Sequence, residues 1–443
     1  MKTNKKLLAQ LALLAVAVPA FAQTTYYLDN NGATNGFGAL GGTWSQIHPL
    51  WTNNAQGTAT TTLNWNNDAS PVNNAVLDYT GGKVNDITLT GSLNIGNLTV
   101  QNFAASITTT SFISTATTSV DRTITLNFGS NSTLDIGNAT TATSDFGIRS
   151  FQSTVGATNQ LNVEGGFNKS GIGVLQFQTF SNAGTANIKI SGIVNVQNGG
   201  IALFTNDGTS TTASRTIDVS QATFALSANT FLATVNALSA TNAASGTGMA
   251  KLGIVTGTGT IRGDAATGNT LTYSATGLQP GEIGTIGTLN IADNKAATTS
   301  VWNNVATIGG NTAFTFADIA VGGLKFDLAA PGSSDKLAFS GLTSIDLAGL
   351  NFNQFEFNTL SGFGTTGSYT LMEGLTSIGA SVLGTRTGTI GGLDAVLSLS
   401  GTTLELNVSA SAIPEPATYA ALVGLGILGF VVFRRRGTEK ATS

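Results

Sequence analysis

Cysteine is absent from the 443 residues, histidine occurs once, proline 7 times and tryptophan 4 times, and only 9% of the chain is charged. Without cysteine there is no disulfide framework, no zinc–thiolate site and no thiol nucleophile. The single His48 supplies neither a histidine metal cluster nor a Ser-His-Asp arrangement, and no G-x-S-x-G occurs. It reads as a loop residue before Pro49. The scarcity of proline excludes collagen-like and proline-rich linker classes. The charge deficit is not that of a disordered chain, because 41% of the residues are hydrophobic and disorder pairs low hydrophobicity with high charge.

What is present is 55 glycines among abundant Thr, Asn, Val and Ile, a composition of strands and turns. The length suffices for one large all-β domain or two smaller ones. The net charge of −4 hides an asymmetry: seven of the 19 basic residues lie in the terminal segments, and 12 basic face 22 acidic residues between Gln23 and Phe433. A body of that sign disfavours nucleic acid and anionic membrane surfaces, which need basic patches.

Both ends read as addresses. Residues 1–22 have lysines at the start, an apolar run from Leu7 to Val18, Pro19, and Ala20 and Ala22 flanking Phe21. This is a secretory signal peptide with cleavage expected after Ala22. At the other end Ala417 to Phe433 is a 17-residue apolar stretch followed by Arg434, Arg435 and Arg436. The expected element is a single transmembrane helix at 417–433, with its basic end and residues 437–443 cytoplasmic. Residues 409–413 form a linker before it.

Pro414-Glu415-Pro416, the short apolar helix and the arginine cluster resemble the PEP-CTERM sorting signal over residues 414–436. The resemblance implies recognition of Pro414, Glu415 and Pro416 by an exosortase. It further implies transient anchoring in the inner membrane and delivery to the cell surface or an extracellular matrix, in bacteria whose export of such proteins accompanies exopolysaccharide production.

Between the addresses, segments such as NDITLTGSLNIGNLTVQN, RTITLNFGSNSTLDIGN and ANIKISGIVNVQNGGIAL show short period-2 groups whose phase shifts at Gly or Asn. That is how a strand, a sharp bend and the next strand read. The expected fold is all-β, a parallel β-solenoid (β-helix) over 23–323 with Thr and Asn ladders. Tandem antiparallel β-sandwiches are the alternative. No fixed coil length emerges. From Leu324 to Val408 strands such as LKFDL, KLAFSG and TLELNV are read as a C-terminal β domain over 324–408 that caps the stack. The segments WNNDASPVNNAVLDY, GLQPGEIGTIGTLNI and GSSDKLAFSG resemble exported autotransporter-associated β-strand repeat proteins, many of which carry the same tail.

Chemistry is hard to find. Gly424, Gly426 and Gly429 spell G-x-G-x-x-G inside the apolar tail, with no strand before them, so no dinucleotide site is expected. Asp135, Asp145, Glu164, Asp207, Asp218, Asp264 and Glu282 are scattered singly and read as turn residues, although paired carboxylates would suit polysaccharide cleavage. No metal site, catalytic residue or cofactor is expected. Trp44, Trp51 and Trp65 cluster near the start of the mature chain, with Trp302 far away. They either plug the first end of the solenoid or stack on sugar. The reading is an exported, non-enzymatic structural protein. A carbohydrate-binding adhesin, using those tryptophans or Asn/Thr-lined faces, and a polysaccharide-active enzyme are the alternatives.

Overall fold

A computed structural model describes residues 23–31, 34–58, 62–68, 72–81, 83–102, 110–116, 120–129, 131–137, 145–181, 184–207, 214–238, 247–265, 270–293, 311–364, 366–376, 383–411 and 416–438. The expected signal peptide, including Ala20 and Ala22, lies outside them, as does Trp302. The body is all-β.

The way short strands with Gly and Asn corners build this body is clearest between residues 93 and 152. The chain runs through Leu93–Ile95, Leu98–Gln101 and Thr110–Ala116, and then repeats the journey through Arg122–Phe128, Thr133–Ile136 and Asp145–Gln152. Each strand of the second pass lies parallel beside its counterpart in the first: Leu93 opposite Leu126, Leu98 opposite Leu134, Phe112 opposite Ile148. Three parallel ladders result. One forms a 14-stranded sheet that opens with Leu40–Trp44 and Lys83–Leu89, and the other two belong to a 17-stranded sheet. In Thr185–Val196 and Ser214–Leu226 the strands of the latter two ladders fuse into one long element, with a register shift between Lys189 and Ser191 at the bend. Parallel pairing of this kind is not the antiparallel pairing of a β-sandwich.

The irregular repeat has a physical cause. Gly200 lies opposite Val174, Phe231 opposite Gly200 and Thr260 opposite Phe231, returns of 26, 31 and 29 residues. The return from Thr288 to Lys336 takes 48. Strand register is kept by the inward apolar rows, while the connections between ladders vary freely in length. One hydrophobic cluster runs from Leu28 to Val408, fed by alternate residues of every ladder.

Corners need glycine where successive passes touch. Gly166 (φ +74°) and Gly192 (φ +93°) sit one pass apart; a Cβ on Gly166 would lie 2.4 Å from the Ile193 carbonyl oxygen, and one on Gly192 2.7 Å from the Gly166 nitrogen. Asn side chains stack beside them. Asn67 accepts from the Asn94 backbone N–H at 3.0 Å, and Asn127 Nδ2 donates to Asn94 Oδ1 at 3.2 Å. Such ladders satisfy corner groups that strand pairing leaves over.

The sequence placed a boundary at 324, but the ladders continue through it. Leu324–Leu328 pairs in parallel with Phe355–Thr359, and Lys336–Ser340 with both Thr288–Asp293 and Gly367–Glu373. The pattern changes later, where Gly367–Glu373 takes the antiparallel partner Thr403–Ser409, followed by Leu393–Ser400 and Thr387–Ile390. These last strands carry the 14-stranded sheet past the end of the stack. The richer Leu and Phe content of 324–360 belongs to the final passes, where Phe326, Phe355 and Phe357 pack ring on ring.

One helix, Pro416–Thr438, follows. Its described side chains, Ala420 to Arg434, are all exposed, including Leu422, Leu425, Phe430 and Phe433. Among the described residues no helix is long and apolar enough to cross a membrane. The helix covers the expected span at 417–433, whose 17 apolar residues extend about 25 Å at 1.5 Å per residue against a hydrocarbon core of about 30 Å.

Candidate functional site

The tryptophans come together at the first end of the stack. Trp44 ends the first strand of the 14-stranded sheet, and Trp51 opens the strand Trp51–Thr52, which runs antiparallel to Thr25–Leu28. Trp65 follows in a turn-rich segment. Ring centroids lie 4.6 Å apart for Trp44–Trp51 and 5.0 Å apart for each of the other two pairs. All three are buried, at 0%, 0% and 1% exposure. Trp65 Nε1 donates to the Asn94 carbonyl at 3.2 Å. An indole that stacks on a sugar needs one open face, and none of these has one. The geometry is that of a plug, held by tilted and edge-to-face aromatic contacts.

Nearby, His48 is exposed, with Nδ1 and Ser45 Oγ 2.6 Å apart. It stands in a surface turn.

The scattered carboxylates stay scattered. Asp135 accepts from Ser170 Oγ at 3.0 Å, Asp218 accepts from the Ser220 N–H at 2.9 Å, and Glu164 and Glu282 are exposed. The side chains of Asp145, Asp207 and Asp264 lie outside the described residues. Among the described residues no group of three metal-ligating side chains forms.

Two carboxylates that sequence reasoning passed over do meet. Asp327 and Asp335 flank the turn Ala329–Ser333 and are 4% and 1% exposed. Asp335 accepts from the Gly287 N–H at 2.7 Å and the Asp327 N–H at 2.8 Å. Asp327 accepts from the Gly284 N–H at 2.5 Å and from Asn358 Nδ2 at 2.7 Å. The pair thus ties the turn 281–287 of one pass to the strand Phe355–Thr359 of another. Burial pushes the Asp335 carboxyl up to about 7 against the pull of its two N–H donors, and the facing Asp327 adds to the rise. The signal in the sequence was the turn Pro331-Gly332 between two aspartates eight positions apart.

This clamp makes stability depend on pH. Folded Asp335 keeps its proton up to about pH 7, whereas the free carboxyl releases it near 3.8. Between those values the folded chain binds more protons, so stability falls as pH rises and the loss is complete just above 7. The expected decrease from pH 5 to 7.5 is about 2–3 kcal/mol. Urea denaturation across that range measures it; Asp335→Asn should lose the slope whatever its own offset. An unchanged slope in the variant would contradict this role.

Of the sorting residues, Pro414 and Glu415 lie outside the described residues, Pro416 opens the helix, and Arg434 is exposed near its end with Arg435 and Arg436 following. Comparison with known proteins bears on this segment. No curated protein and no solved structure matches the chain. The resemblance of the body to autotransporter-associated β-strand repeat proteins stands as an expectation from sequence. A family model described as the PEP-CTERM protein-sorting motif matches residues 412–436, which marks the chain as an extracellular protein sorted by an exosortase, exported and transiently anchored in the membrane.

Proposed function

We propose that the exported body is a non-enzymatic structural element of the cell surface or extracellular matrix, built as a β-solenoid. The observation that carries this reading is continuity. Ladders extend from Leu40–Trp44 to Gly367–Glu373 around one core, with buried indoles at one end and antiparallel strands at the other. A stack with closed ends presents a long, sparsely charged surface and resists end-to-end pairing. The carboxylates also support it. Asp121 holds the Thr158 N–H at 2.8 Å, Asp346 the Ala348 N–H at 2.9 Å, and Asp78 accepts from Gln101 at 2.8 Å and Asn102 at 2.7 Å. They serve turns.

A polysaccharide-active enzyme is the competing reading, and the Asp327–Asp335 pair is what favours it. Against it stands the geometry of that pair, whose oxygens are buried and occupied by three backbone N–H groups and the Asn358 side-chain amide. Incubating the purified protein with polysaccharide from the producing cells tests the choice. No new reducing or unsaturated chain ends are expected. Their appearance, and disappearance in Asp335→Asn, would overturn the structural reading.

A further inference from the structure

The outward side of the ladder built by Leu93–Ile95, Arg122–Phe128, Thr158–Glu164 and the first halves of Thr185–Val196 and Ser214–Leu226 is a polar lattice. Its rows follow from register. Thr123, Gln160, Asn187 and Thr216 align across four successive strands, and Thr125, Asn162, Lys189 and Asp218 align in the next row. The alternate residues Ile124, Leu161, Ile188 and Ile217 point into or pack against the core, so the polar rows face away from it. Thr123, Asn127, Lys189 and Thr216 are exposed, and Thr125, Gln160, Asn162 and Asn187 are half-buried. Adjacent strands lie about 4.8 Å apart and alternate residues along a strand about 6.7 Å, so the five strands span roughly 19 Å along the stack.

Two properties of the lattice identify what it would hold. First, its charges nearly cancel: Lys189 stands beside Asp218, and Glu164 is the other charged member. Neither a polyanion nor a polycation gains from such a face. Second, its amides have capacity to spare. Gln160 Nε2 donates to Asn162 Oδ1 at 3.1 Å and Asn162 Nδ2 reaches Thr125 Oγ1 at 3.5 Å. Each primary amide carries two N–H donors and a carbonyl with two lone pairs, so these bonds leave donors and acceptors open on the outward side. The threonine hydroxyls add more. Repeated rows of such groups suit a long ligand that makes many weak, repeated hydrogen bonds, for which affinity grows with the number of contacts made together.

We propose that this face binds a neutral, extended polysaccharide lying against the rows of Thr, Asn and Gln. This goes beyond the structural role, which stands whether or not the face has a ligand. Affinity electrophoresis of the full chain in gels containing hydroxyethylcellulose, a neutral glucan, or alginate, a polyanion, tests it. The wild-type protein is expected to be retarded by hydroxyethylcellulose. The triple variant Gln160→Ala, Asn162→Ala, Asn187→Ala should lose at least tenfold in apparent affinity. Because that variant alters half-buried residues, a second one, Thr123→Arg with Thr216→Arg, places bulk and charge at two exposed positions and is expected to lose binding equally with its melting temperature unchanged. Ser344→Arg, on another exposed strand, should bind as the wild type does. Absence of retardation by hydroxyethylcellulose, retardation by alginate alone, or wild-type binding by the Thr123→Arg, Thr216→Arg protein would each overturn the proposal.

Discussion

Replacing Trp51 by alanine is expected to cost about 3–5 kcal/mol of stability, the range for deleting a large buried aromatic side chain. Trp51 is fully buried and touches both Trp44 and Trp65, so its removal opens a cavity at the end of the stack where no further pass of chain can collapse inward. Phenylalanine at the same position separates packing from hydrogen bonding. The buried Trp51 Nε1 has no acceptor among the described residues, and a donor in that state carries a penalty of about 1–3 kcal/mol that phenylalanine removes. Trp51→Phe should therefore lose much less than Trp51→Ala in thermal or urea unfolding. Equal losses would show that the ring is not acting as a plug. Polysaccharide retention on the Thr, Asn and Gln face should be the same in folded Trp51→Phe as in the wild type, since the indoles are closed to solvent.

The second large effect is expected at Lys169. It occupies an inward row of a ladder, opposite Leu134 on one side and Val196 on the other, and is 0% exposed. A lysine here contradicts the apolar pattern of its neighbours. Its ammonium turns along the corner and donates to the carbonyls of Gly171 at 2.6 Å and Asn198 at 2.9 Å, and to that of Gly173. Two successive passes are thus joined at the point where both turn towards the 14-stranded sheet. Lys169→Met keeps the stem and removes the donor. Each buried carbonyl left without a partner costs about 1–3 kcal/mol, set against roughly 1 kcal/mol gained by apolar packing. The Gly171 and Asn198 carbonyls are only partly buried and fall at the low end of that range, so the expected net loss is about 2–4 kcal/mol, and unfolding in urea measures it. A variant as stable as the wild type would mean that the carbonyls find other donors. Hydrogen exchange should also rise first in the corner residues 171–173 and 197–199, before the inward rows on either side.

Much of the body was legible in sequence because each ladder strand announces itself locally. The alternation of Ile124, Leu126 and Phe128, ended by Gly129, specifies a strand and a corner without reference to the rest of the chain. The expected Asn ladders follow from the same logic, and Asn94 and Asn127 do stack. What was hidden depends on register between passes. Thr288 meets Lys336 only because a connection of variable length is absorbed between ladders, so no fixed period exists to be read. The apparent boundary at 324 was a change in residue size, from Thr and Asn to Leu and Phe, and the ladders cross it because hydrogen-bond register does not depend on side-chain volume. The Asp327–Asp335 clamp was missed for a related reason: the amides that hold it come from Gly284 and Gly287, more than 40 residues away. Lys169 was invisible for the opposite reason, since an isolated lysine ordinarily reads as a solvated position. The tail was the easiest part to read, because sorting depends on a short contiguous segment and not on the fold.

The chain therefore combines a segment that is read by a membrane enzyme with a body that owes its form to stacked registers. Its low charge fits that division: residues 23–413 carry 12 basic and 21 acidic residues. Cell fractionation followed by mass spectrometry of the mature termini tests the account most directly. It predicts a body found outside the cell, beginning at Gln23 and ending near Pro414. A full-length chain lodged in the inner membrane, with residues 412–436 still attached, would contradict it.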